Sequence, residues 1–446
     1  MIGKHSSLLD VLQVLATAGA RSIYAKVLAA NDNSKNQVYL GGSFEVLNRL
    51  PAETPVPTTT GSRKKPIFEA ALALSWLGSN GHFFPAPHAK LILYPQYPEV
   101  RLSGYLRGCA DGPAELMGST RVPERLLLLG IREDGGILAW AGAPDSGAKQ
   151  DFDAMRHRGM LEPAGVLLRV PVPGTEGSTT REALLVELRR IHRQGWTPSK
   201  RLDTNGAVLP CNAQNCGGFT LEAELGIRPN GFSEPDFRGW EIKQHAVGSF
   251  EFLRSGPITL MTPEPTGGYY KEKGVVPFLR KYGYPDRRGR SDRQNFGGVH
   301  RAGTACSMTG LTLTLLGFDL EAERLTDPGG GIALLDDRDN AAAIWHFSSL
   351  IGHWNRKHAN AAYVPSMMQV EPMRSYRYGD TVRLGEGTDF RRFLVAMARG
   401  HIYYDPGVKA EGWSSGKPAV KRRNQFRIAS PELDRLYSNL ESVSVA

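Results

Sequence analysis

SEPDFRGWEIKQH, residues 233–245, is the stretch that decides how the second half of this chain is built. Pro235-Asp236 marks a turn, and RGWEIKQHAV (238–247) reads as a strand. Side chains alternate across a strand, so Glu241 and Lys243 share one face while Trp240 and Ile242 take the other. Asp236 is expected to fold back from the turn onto the charged face. TLEAELGI (220–227) reads as a helix with Thr220 as N-cap and Gly226 at its end, and it carries a further carboxylate, Glu222.

Two or three carboxylates and one amine converging on one spot suit phosphodiester hydrolysis. Mg²⁺ is a hard cation that takes one or two protein carboxylates, keeps several waters and accepts a substrate phosphate. It polarises the phosphate and lowers the pKa of a bound water. Asp236 and Glu241 are the expected metal ligands; Lys243 would orient the water and stabilise hydroxide, and the carboxylates would keep it charged. The competing reading is a solvated strand face whose Glu and Lys do nothing. Against it, one face of the strand is apolar and the other holds only the charges.

GGFTLEAELGIRPNGFSEPDFRGWEIKQ (217–244) resembles the signature of the MvaI/BcnI family of restriction endonucleases, with weaker likeness to about Ser438. The resemblance implies a PD-(D/E)XK nuclease fold, an α/β domain around a central mixed sheet. It places the metal-binding carboxylates on Asp236 and Glu241, the active-site lysine on Lys243 and the helix glutamate on Glu222. It also implies a monomer that nicks each strand of double-stranded DNA in turn, at a site resembling CC-N-GG, with CC(A/T)GG expected here.

The chain has 446 residues, 41% hydrophobic and 22% charged, with a formal net charge of +9. That is the composition of a globular protein of two or three domains, and its basic balance favours a polyanionic partner. No apolar run is long enough to span a membrane. Leu8, Leu9, Val11, Leu12, Val14 and Leu15 fall at helical spacing, so the N-terminus reads as a packed helix and not as a signal peptide. Four cysteines fit a reducing cytoplasm; Cys211 and Cys216 are expected as free thiols, since no second Cys or His pair stands at zinc spacing.

VPVPGTEGSTT (170–180) reads as a linker, which divides the chain into 1–170, a linker at 171–180, and 181–446. Before it lie many short strands, with a helix expected over 67–77; this indicates a small all-β barrel or sandwich. After it, helices are expected at 181–196, 275–283, 341–359 and 390–400, with strands at 255–265 and 309–321 between them. His353 and His358, five apart on the third of these helices, fall on different faces and read as structural or phosphate-facing.

Basic residues interleaved with aromatics at 268–301, including Tyr270, Lys271 and Lys273, suit phosphate contact. KPAVKRRNQFRI (417–428) offers Arg423, Asn424, Gln425 and Arg427; on a strand Arg423, Gln425 and Arg427 would share a face suited to G·C and A·T edges. A charged edge strand is the alternative. His401, Tyr404 and Asp405 are candidate contacts on a turn after a helix.

In the first half, YAKVLAANDNSKNQVYLGGSFEVLNRLP (24–51), YPEVRLSGYLRG (97–108) and LAWAGAP (138–144) resemble EcoRII-type N-terminal effector domains, a DNA-binding pseudobarrel shared with plant transcription factors. The resemblance implies two arms entering the major groove, one with Lys26, Asn31, Asp32, Asn33, Lys35, Asn36 and Gln37, the other with Arg101, Ser103, Tyr105 and Arg107. An ordinary polar hairpin is the alternative for the first. The whole reads as an effector-activated enzyme that binds two copies of its site, with a companion DNA methyltransferase in the host. A repair nickase of MutH type, or a DNA-binding regulator with an inactive nuclease domain, are the competing functions.

Overall fold

A computed structural model describes residues 6–30, 36–42, 44–60, 65–95, 99–118, 122–173, 180–213, 215–228, 236–251 and 256–446. The chain forms two compact units, Met1–Gly177 and Ser178–Ala446. Of the expected linker, residues 174–179 lie outside the described residues, and Thr180 already opens a helix.

The first unit is built on two sheets. One has seven strands, with Ala20–Leu28 between Leu167–Val170 and Arg125–Arg132. The other has five, with Lys90–Tyr94 between Glu99–Ser103 and Lys65–Ala71. Neither closes into a barrel among the described residues. The unit is not all-β. Helix Leu8–Thr17 opens with a reciprocal cap, in which Asp10 N–H donates to Ser7 Oγ at 3.2 Å and Ser7 N–H to Asp10 Oδ2 at 2.8 Å. Its buried face, Leu8, Val11, Leu12 and Leu15, joins Phe152 of helix Gly147–His157 in a core with Ile23, Leu128 and Trp140 of the seven-stranded sheet.

The helix expected over 67–77 is instead two strands, Lys65–Ala71 and Leu74–Leu77. Phe68 lies opposite Leu93, and Leu74–Trp76 pair in parallel with Ile137–Ala139. Non-local pairing of this kind overrides the helix preference of Ala and Leu.

In the second unit the signature strand, Glu241–Ala246, runs parallel to Asn360–Gln369 in a six-stranded sheet whose other pairings are antiparallel. Its apolar face, Trp240 and Ile242, packs into a core with Leu184, Leu188 and Ile191 of helix Thr180–Arg193 and Leu221 of helix Cys216–Glu224. The segment 341–359 is not one helix. Ala341–His346 pairs as a strand with Gly331–Leu335, and only Phe347–His358 is helical. Trp345 explains the break: it is fully buried, and its Nε1 donates to Pro263 O at 2.9 Å.

In the first unit one buried arginine ties three segments together. Arg125 donates through Nε to Val122 O at 2.6 Å, through Nη2 to Ala29 O at 2.7 Å, and through Nη1 to Leu116 O. Arg125→Met should strand three carbonyls and lower the stability of this unit by about 3 kcal/mol. The urea midpoint measures it, and an unchanged midpoint would contradict the arrangement.

Candidate active site

A tight turn carries Asp236 back to the strand. Phe237 and Trp240 exchange both backbone hydrogen bonds, at 2.9 and 2.8 Å, across Arg238 and Gly239. Both central residues have positive φ, +45° and +88°, as a two-residue hairpin turn with the twist of the strands requires. Asp236 Oδ2 then accepts Ile242 N–H at 2.9 Å. This turn is what makes a four-residue gap between Asp236 and Glu241 workable.

Glu241, the first residue of the strand, has a side chain only 3% exposed. Lys243 Nζ donates to its Oε1 at 2.5 Å. The other oxygen, Oε2, is buried without a hydrogen-bond partner, and Lys357 Nζ stands 3.9 Å from it. Burial pushes the Glu241 pKa up, but Lys243, His358 and Lys357, in that order, together with the Lys243 hydrogen bond, outweigh it and the net shift is down. Burial also opposes the charge on Lys243, and Glu241 reverses that, so its pKa rises.

Glu222 sits on helix Cys216–Glu224, which begins before the expected Thr220. Thr220 is inside the helix and is no cap; its hydroxyl bonds both backbone groups of Lys200 at 3.1 Å. The helix approaches the sheet closely at Gly217, where a Cβ would stand 3.0 Å from the Gln244 side chain. Cys211 and Cys216 are joined in a disulfide at the helix start and are not free thiols. The antiparallel ribbon Lys200–Leu202 with Val208–Pro210 returns the chain so that the two Cα atoms lie 5.7 Å apart, within bridging range.

Burial and the charge of Asp236 raise the Glu222 pKa to about 7. Burial and the charge of Glu241 raise that of Asp236 to about 6. Three carboxylates thus crowd one another beside two lysines. Among the described residues no three His, Cys, Asp or Glu side chains form a metal cage. The donor set still fits a hard cation that uses one or two carboxylates and completes its shell with water and phosphate, since Glu241 Oε2 is a buried acceptor with its lone pairs unused.

Lys357 was not legible in the sequence motif; it comes from helix Phe347–His358, folded over the site from far along the chain. Its neighbour His358 is fully buried, stacks on Trp354 at 4.1 Å and bonds Leu260 O through Nε2 at 3.0 Å. Burial drives its pKa down to about 3, so the ring is neutral and structural.

The candidate DNA contacts divide. In the second unit Lys271, Lys273 and Arg423 are exposed. Tyr270, Tyr404 and Asn424 are turned inward in one network: Tyr270 Oη donates to Glu264 Oε2 at 2.8 Å, Asn424 Nδ2 to Glu264 Oε1 at 2.7 Å, and Tyr404 Oη to Asn424 Oδ1 at 2.5 Å. Gln425 is buried too. The stretch holds two short strands, Ala419–Lys421 and Phe426–Ile428, with Arg423 and Gln425 between them, so Arg423, Gln425 and Arg427 do not share a strand face. Arg427 pairs with Asp405 at 2.6 Å, and His401 Nδ1 lies 2.8 Å from Glu432.

In the first unit Asn31, Asp32, Asn33 and Lys35 lie outside the described residues. Arg101 Nη1 donates to Gln37 Oε1 at 3.0 Å, and Lys26 Nζ stands 5.9 Å from the centre of the Tyr39 ring. Asn36 has a positive φ of 47°. Ser103 ends the Glu99–Ser103 strand, and Arg107 is exposed. Tyr105 is buried, its hydroxyl donating to Met117 O at 3.0 Å while its carbonyl accepts Trp76 Nε1–H at 2.6 Å.

Over residues 185–437 the chain matches the MvaI/BcnI restriction endonuclease family. The chain belongs to that family. Membership makes it a nuclease, a hydrolase of DNA. Similar solved structures are restriction endonuclease MvaI in complex with cognate DNA and MvaI in the absence of DNA. Each is 19% identical and covers 60% of this chain and 99% of its own, with TM-scores of 0.45 and 0.34. No curated protein matches the chain. No helix of the described residues is long and apolar enough to cross a membrane.

The raised carboxylates have a measurable consequence. The folded protein holds protons on Asp236 and Glu222 that the unfolded chain releases, so their contribution to stability is full below their ordinary values of 3.8 and 4.5. It is lost as pH rises through about 6 and about 7. Without divalent cations the urea midpoint should therefore fall between roughly pH 4 and 7.5. Glu222→Gln should flatten the upper part of that slope; an unchanged slope would contradict the electrostatics of the site.

Proposed function

We propose that the protein is a Mg²⁺-dependent type II restriction endonuclease that cleaves double-stranded DNA, with a catalytic unit of PD-(D/E)XK type. The observation that carries the proposal is the Glu241 carboxylate: one oxygen is clamped by Lys243, the other is buried without a hydrogen bond, and the charge of Glu241 acts on Asp236. Asp236 and Glu241 would hold the cation. Bound there, it would polarise the scissile phosphate and acidify a water. Lys243 keeps its charge through Glu241, so its ammonium is set to hold an attacking water and stabilise negative charge on it. Glu222, its pKa raised to about 7 by burial and Asp236, would exchange a proton beside that water.

Lys271, Lys273 and Arg423 are exposed cations suited to the DNA backbone. The site is proposed as CC(A/T)GG, read by a monomer acting on one strand at a time in the cytoplasm, with a methyltransferase protecting host DNA. The first unit is proposed as an effector of pseudobarrel type that binds a second copy, using Lys26, Asn36, Gln37, Arg101, Ser103 and Arg107 together with the 31–35 segment.

Run-off sequencing of a plasmid digest in Mg²⁺ tests activity, site and cut position together. Asp236→Ala and Lys243→Ala should each slow cleavage roughly a thousandfold while retaining DNA binding in Ca²⁺. Undiminished cutting by either would refute the assignment. A one-site substrate should be cut faster when a cleavage-resistant duplex carrying the same site is added, and Arg101→Ala should weaken that stimulation; no stimulation in the wild type would remove the effector role and leave the nuclease.

A further inference from the structure

Glu241 lies between two ammonium groups that hold it unequally. Lys243 is bonded to Oε1 at 2.5 Å and shares the strand with it. Lys357 stands on a helix, 3.9 Å from Oε2, beyond hydrogen-bond reach. Oε2 has no hydrogen-bond partner although Glu241 is 98% buried. Lys357 is also an electrostatic partner of Asp236 and Glu222, so its charge falls on the whole acidic cluster. Its side chain is 24% exposed, which leaves it room to move outward. A divalent cation at Oε2 would be repelled by the Lys357 ammonium.

We propose that Lys357 is a positioning residue that stands in for the divalent cation, supplying positive charge opposite Glu241 Oε2 until the cation displaces it. The proposal rests on the nuclease reading of the site. The carboxylates would otherwise repel one another in the absence of metal, and an ammonium 3.9 Å away offsets that repulsion without occupying the coordination position. On displacement the side chain turns towards solvent, where an incoming phosphate would attract it. Cation loading is thereby weaker before DNA arrives and stronger afterwards, because the phosphate then pairs with the lysine's charge.

The test is Mn²⁺ binding to the full chain in the absence of DNA, by titration calorimetry, for wild type, Lys357→Met, Lys357→Arg and the double variant Lys357→Met with Glu241→Gln. Removing a unit charge 3.9 Å from the oxygen that would bind the cation should tighten binding roughly tenfold. Lys357→Met should show that gain, Lys357→Arg should stay near wild type, and the double variant should lose the gain. Any of three results overturns the proposal: no gain in Lys357→Met (no binding by either protein included), an equal gain in Lys357→Arg, or a gain that survives Glu241→Gln. Urea midpoints for all four proteins establish that each is folded. The nuclease reading fails separately, if wild type does not cut plasmid DNA in Mg²⁺, and that result leaves the Mn²⁺ comparison interpretable.

Discussion

Burying a carboxylate costs far more than a single neutral hydrogen bond returns, so Glu241 depends on Lys243. The pair is one strand face: two residues apart, pointing the same way, bonded at 2.5 Å. The rest of the unit is arranged around that constraint. The opposite face of the strand supplies Trp240 and Ile242 to the core and fixes its register. The parallel partner Asn360–Gln369 continues directly from the helix that brings Lys357, so the sheet pairing that buries Glu241 also delivers its second cation. The Phe237–Trp240 turn and the Gly217 approach bring in the other two carboxylates.

The centre of this site was legible because its residues are local. Strand alternation puts Glu241 with Lys243, and a turn before a strand places Asp236; both follow from a few consecutive residues. Glu222 was legible as a helix residue, but the helix start was not. Thr220 spends its hydroxyl on Lys200, a tertiary bond that its neighbours in sequence do not announce. Lys357 was invisible for the same reason, on a larger scale. Cys211 and Cys216 looked unpaired because metal spacing is a sequence pattern, whereas a disulfide needs only two Cα atoms brought close by the fold. Trp345 ended what looked like one long helix, because its burial and its bond to Pro263 are rewarded on a strand.

Residue type alone also misleads about recognition. Asn424, Tyr404 and Tyr270 are chemically able to meet bases, yet they close a network with Glu264 inside the protein. What they do is brace the chain beside Arg422 and Arg423, which remain exposed. In the first unit Tyr105 likewise anchors a segment, while Arg101 bonds Gln37, just before the adjacent strand Val38–Tyr39. Side chains that fix a surface and side chains that could use it are interleaved in sequence, and only burial separates them.

The proposed nuclease chemistry requires a cation at Glu241 Oε2 and Asp236. Anomalous scattering from Mn²⁺ in crystals of the protein with a duplex carrying its site tests it most directly. A peak is expected about 2.1 Å from Glu241 Oε2 and at a similar distance from an Asp236 carboxylate oxygen. A cation bound elsewhere in the unit, with Oε2 still lacking a partner, would contradict it.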